Sequence, residues 1–240
     1  TGDAEGAVRL GRSTAAAFRH LDDSWGLSAI LYHLGWGLRQ FGRFDEAARV
    51  LEEAIDVAGG AGLWNTAQWA LADLAIEKVH IGDRDGARRL FDEAAAASRE
   101  VGDGAGEVLA GYGYGLLAHV EGNWDQARRY YGTSVDGFIA LGTPVPEGAA
   151  LAALGRCHEA DGDTTTAEAR YREALELGRR LGEPAVTASA LEGLARLALT
   201  AGDPDAATAR FVEAAGIRTR FHRPAPPHER NDLTDFVHAP

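Results

Sequence analysis

The chain has 240 residues, 45% hydrophobic, 25% charged and 8% aromatic, and its 24 basic and 36 acidic side chains leave a net charge of −12. This is the make-up of a globular domain and excludes a collagen-like or low-complexity chain, while the acidic balance excludes a nucleic-acid surface, which needs clustered cations. No apolar run reaches the ~18 residues that cross a bilayer. No signal-peptide pattern opens the chain, and Cys157 has no second cysteine to pair with, so the expected compartment is the cytoplasm. Lys78 is the sole lysine and methionine is absent, which reads as a segment of a longer protein.

In chain order, glycines recur at Gly2, Gly42, Gly82, Gly122, Gly162 and Gly202, each 40 residues after the last. Each is followed five residues later by Ala7, Ala47, Ala87, Ala127, Ala167 or Ala207. Bulky residues follow at Leu51, Phe91, Tyr131, Tyr171 and Phe211, and small ones at Ala54, Ala94, Ser134, Ala174 and Ala214; the first copy departs with Gly11 and Thr14. A second register, Gly62, Gly102, Gly142 and Gly182, divides each unit into two halves, each a helix and a turn.

The first element is a second-half helix from about Ala4 to His20, without its first-half partner. Five full pairs follow. Their first-half helices carry Leu31, Leu34, Gly35 and Leu38, then Leu71, Leu74 and Ala75, then Leu151, Leu154 and Gly155, then Leu191, Leu194 and Ala195, with small residues that admit close approach. The turn glycines supply a left-handed residue, and Asp3, Asp83, Asn123, Asp163 or Asp203 caps the next helix, with Arg43 the exception. A helix pair with one apolar stripe must stack on others to bury it. The expected fold is therefore all-α, a right-handed α-solenoid of antiparallel helix pairs over residues 1–221. The proline-rich segment 222–240 breaks the last helix and caps the end.

Leu34, Gly35, Gly42, Ala47, Leu51 and Ala54 stand in the order and spacing that resembles a tetratricopeptide repeat, lengthened here to 40 residues, and the other copies match similarly. The resemblance implies a concave wall, lined by the first helix of each pair, that receives extended peptides or compact ligands. The glycine register puts Tyr32, Trp36, Arg39, Trp69, Tyr112, His119, Arg156, Glu159, Glu192 and Arg196 on or near that wall, aromatic in the N-terminal half and charged in the C-terminal half. Arg156 and Arg196 occupy equivalent places and form a candidate clamp for a carboxylate or phosphate. The competing expectations are that about half of these aromatics are core, that Glu159 and Glu192 merely pair with the arginines, and that Trp124 is packing.

A second resemblance runs from Ala206 and Ala207 through Phe211, Ala214, Ala215 and Arg218 to Pro224, Pro226, Pro227, Glu229 and Arg230. It is similar to the end of the helical-repeat region of large actinobacterial transcriptional regulators, including the ATP-binding LuxR-type and antibiotic-regulatory families. That resemblance implies a domain receiving a small-molecule or protein signal, with other domains of the parent regulator as partners.

The chain lacks GxxxxGK[ST], HExxH, CxxC and GxSxG patterns, so neither an enzyme nor a cofactor site is expected. Gly102, Asp103, Gly104, Ala105, Gly106 and Glu107 imitate a phosphate loop but sit at an inter-repeat turn without a strand or a lysine. Adjacent Cys157 and His158 point about 100° apart on a helix and form no dyad. His80, His119 and His158 drift in register, and no metal is expected. The expected partners are a protein or peptide or a small-molecule effector, with a homo-oligomer as the alternative scaffold reading.

Overall fold

The computed structural model describes residues 4–102, 104–221 and 225–226. It holds eleven helices: α1 (Ala4–His20), α2 (Ser24–Gln40), α3 (Phe44–Gly60), α4 (Trp64–His80), α5 (Arg84–Val101), α6 (Ala105–Val120), α7 (Trp124–Leu141), α8 (Pro144–Ala160), α9 (Thr164–Leu181), α10 (Pro184–Thr200) and α11 (Pro204–Phe221). No strand occurs among the described residues. They fall into two compact units, one within Thr1–Gly113 and Pro224–Pro240, the other within Tyr114–Arg223, so that the division lies inside α6.

The helix boundaries follow from the two glycine registers. Gly42 and Gly142, one from each, have φ of 71° and 65°, a left-handed conformation that ends a helix without a Cβ penalty. Asp22 takes the corresponding place before α2 at φ 53°, a conformation an Asx side chain tolerates better than most. The Asp83, Asn123, Asp163 and Asp203 side chains accept hydrogen bonds from the backbone N–H of Gly86, Gln126, Thr166 and Ala206, and Arg43 makes no such cap. Arg43 instead binds Glu46 and Glu5. Asp3 lies outside the described residues. Removing one cap, as in Asp83→Ala, is expected to lower stability by about 1 kcal/mol, read as a shift in the urea midpoint.

Packing follows a large-against-small rule. Ala47, Ala87, Ala127, Ala167 and Ala207 are all fully buried, which lets each second helix lie close on its partner. The bulky residue one turn later then fits against glycines of the first helices. In the first unit Leu51 lies against Gly35, and the Phe91 ring against Gly113; in the second, Tyr131 lies against Gly115, and Tyr171 between Gly155 and Gly193. Leu51 also joins Leu27, Leu31, Ala70 and Leu74 in one core cluster, and Tyr171 joins Ala167, Leu194 and Leu197 in another. Within the first unit α2 lies beside α4, and within the second α8 lies beside α10, so each unit presents a face made of first helices.

Candidate binding face on the first helices

In the first unit Tyr32, Trp36 and Arg39 come from α2 and Trp69 from α4, and all four are partly buried. The Arg39 guanidinium lies 2.6 Å from Asp73 Oδ1 and 3.4 Å from Glu77 Oε1, two carboxylates one helical turn apart on α4. Both are almost wholly buried, with side-chain exposures of 2% and 0%, against 15% for Arg39. Burial favours the neutral form of Arg39, but Asp73 and Glu77 outweigh it and hold the positive charge firmly. Burial and then Asp73 push the Tyr32 phenol above its usual range. Burial likewise pushes Glu77 up to about 8, with Arg39 opposing and Asp73 adding to the rise. His80 Nδ1 lies 3.6 Å from Glu77 Oε2.

Asp73 and Glu77 are the site residues that pattern reading missed. Their signal was two acids a turn apart in the otherwise apolar stretch from Trp69 to Glu77. Tyr112, on α6, is half-buried within this unit. A separate groove of about 380 Å³ between α3, α4 and α5, lined by Glu52, Leu74, Lys78, Arg89 and Leu90, contains none of the wall residues.

In the second unit Glu159 collects three donors. Arg196 on α10 donates from Nε at 2.9 Å and from Nη2 at 3.0 Å, Arg156 donates from Nη1 at 2.9 Å, and the Tyr171 hydroxyl donates at 2.6 Å. Burial raises the Glu159 pKa, but Arg196, Arg156 and Tyr171 outweigh it and hold the carboxyl below its usual range. The Arg156 guanidinium stands over the Trp124 ring and that of Arg196 over the Tyr171 ring, which fixes both forks. Trp124 is thus only partly buried, and it also packs on His119 at 4.7 Å. The two arginines do converge, and an internal carboxylate already lies between them.

Glu192 is placed differently from the expectation. It is 3% exposed and faces α11, where Arg218 donates to both of its oxygens at 2.6 and 2.7 Å. Position 192 falls on the side of α10 that packs on α11, so Glu192 belongs to the interior. Cys157 is buried, and burial pushes its thiol up to about 12. Gly102 and Gly104 are both left-handed residues of the α5–α6 turn, and Asp103 between them lies outside the described residues. Among the described residues no three His, Cys, Asp or Glu side chains converge as metal ligands, and no helix is long and apolar enough to cross a membrane.

Tetratricopeptide repeat models match residues 30–62, 107–180 and 146–220, together more than half of the chain. No curated protein matches significantly. Among solved structures, BtubC (BKLC) from P. vanneervenii is 19% identical, with a TM-score of 0.63 over 94% of this chain and 96% of that one. The Rap conjugation gene regulator of plasmid pLS20, in complex with the Phr* peptide, is 14% identical, with a TM-score of 0.67 over 90% of this chain and 70% of that one. A signal transduction ATPase with numerous domains and a tetratricopeptide repeat sensor, from Pyrococcus horikoshii, is 13% identical, with a TM-score of 0.55; the match covers 98% of this chain and 38% of that one. These likenesses establish the same helical solenoid, and with the sequence models they show that the chain belongs to the tetratricopeptide repeat family.

Proposed function

We propose that this chain is a non-catalytic signal-receiving domain of a cytoplasmic transcriptional regulator, binding a peptide or protein segment on its first helices. The observation that carries the reading is the pair Arg156 and Arg196. Neighbouring first helices deliver two stacked, partly exposed guanidinium groups to a single carboxylate, Glu159. A carboxylate or phosphate on the ligand can compete with Glu159 for the two guanidinium groups, whose positions are already set by the aromatic rings. The peptide held by the Rap regulator, the sensor role of the repeats in the Pyrococcus ATPase, and the resemblance of the C-terminal stretch to large regulators support this reading. Fold alone does not settle activity, and a face built from paired side-chain charges supports a binding role.

The test is selection of binders from a random peptide library, followed by titration of the best binder. Arg156→Ala combined with Arg196→Ala should weaken it tenfold or more, the loss of charge-assisted hydrogen bonds, while circular dichroism stays unchanged. Unchanged affinity in the folded double variant refutes the site.

A further inference from the structure

The acids of α4 need an explanation that the fold does not supply. At the place of Asp73 the later copies carry Gly113, Ala153 and Gly193, and at the place of Glu77 they carry Leu117, Cys157 and Leu197. The solenoid therefore closes without a carboxylate at either position. Phe91 and Tyr171 fill the space beside Gly113 and Gly193, and no ring occupies that register before Asp73, where the second-helix residue is Leu51. Both Glu77 oxygens are buried without a hydrogen bond, whereas Asp73 is held by Arg39 and by the Tyr32 hydroxyl. Arg39 satisfies Asp73 Oδ1 and only approaches Glu77. Burying carboxyl oxygens without donors is costly, and among the described residues this occurs on α4 alone.

Resting on the peptide-binding reading above, we propose that Asp73 and Glu77 form the subsite for a basic side chain of the ligand, arginine in preference to lysine. The Asp73 carboxylate and the Glu77 carboxyl, which gives up its proton to solvent when the cation arrives, stand one turn apart and match the forked donors of a guanidinium better than the point charge of an ammonium. The ligand cation enters beside Arg39, the most exposed member of the trio, and donates to the oxygens that Arg39 leaves open. Trp36 stands three residues before Arg39 and Trp69 four before Asp73, so the two rings lie on the same helix faces as the charged groups. Their faces suit a cation in transit or at rest.

Argininamide is the probe, with the side-chain carboxyl carbons of Asp73 and Glu77 followed by NMR. Saturable shifts are expected. Glu77→Gln and Asp73→Asn should each weaken binding about tenfold, and citrullinamide, uncharged and nearly isosteric, should bind at least tenfold more weakly than argininamide. Glu213→Gln, a surface acid of α11 outside the proposed sites, should leave the argininamide affinity unchanged. No carboxyl shift with argininamide, or equal affinity in both acid variants, overturns the proposal. Library peptides that bind through Arg156 and Arg196 while argininamide fails would remove this subsite and leave the proposed function standing. Argininamide binding at Glu77 with no peptide binding at all would do the reverse.

Discussion

Replacing Glu77 by glutamine is expected to leave stability near that of the parent at pH 5 and to raise it progressively toward pH 8. The Glu77 carboxyl sits at about 8 in the folded chain because burial, helped by Asp73, outweighs Arg39. In the unfolded chain it returns to the ordinary carboxylate value of about 4.3. Between those values the folded state holds a proton that the unfolded state has released, so stability falls as pH rises. The favourable contribution of neutral Glu77 is fully present below the unfolded pKa and is lost by about pH 8. Each pH unit in that window is worth at most ~1.4 kcal/mol, and a variant advantage of a few kcal/mol at pH 8 follows. The groups that face Glu77 are Arg39 from α2 and, on its own helix, Asp73 and His80. Glutamine resembles the protonated acid in shape, so the variant isolates the titration from the packing. Urea unfolding at pH 5, 6, 7 and 8 measures it. A difference between variant and parent that does not grow with pH would show that Glu77 is ionised in the fold.

How much of this was open to sequence reading depends on which forces repeat. The turn glycines, the cap residues and the alternation of Leu51, Phe91, Tyr131 and Tyr171 with small partners recur every 40 residues, so helix order and pairing could be read from the period alone. The row of wall residues was an expectation from register, since residues at a fixed register on first helices share a face, and Glu192 departs from it. Their chemistry was not legible, because it depends on partners found in only one copy. Arg39 finds Asp73 and Glu77 34 and 38 residues away, and Arg196 finds Glu159 37 residues before it. Glu192 illustrates the limit: it shares a helix with Arg196 and sits one turn from it, yet it turns to Arg218 on α11. The period predicts which helices are neighbours, and only the side-chain geometry decides which charge each arginine takes.

The glycines beside Tyr171 lead to the second large effect, in which Gly193→Ala destabilises the chain although alanine is the better helix former. In an exposed helix interior the exchange gains about 1 kcal/mol. At Gly193 the added Cβ would overlap the Tyr171 ring. The ring is 1% exposed, faces Gly155 on its other side, and has its hydroxyl fixed by Glu159 at 2.6 Å and Arg196 at 3.0 Å. It can yield only by overpacking against α8 or by giving up those hydrogen bonds. Overpacking costs about 1–3 kcal/mol and a lost buried hydrogen bond a similar amount, so a net loss of roughly 2 kcal/mol remains after the helical gain. Gly132→Ala is the matched control, a glycine within α7 that has no neighbour within 4 Å of the added atom, and it should gain up to about 1 kcal/mol. Opposite signs for the two variants in urea unfolding are the expected result, and a Gly193→Ala variant as stable as the parent would contradict the packing. Because the Tyr171 ring and hydroxyl hold the Arg196 guanidinium in place, the same variant should also weaken an anionic ligand, which ties the small residues of the first helices to the geometry of the binding face.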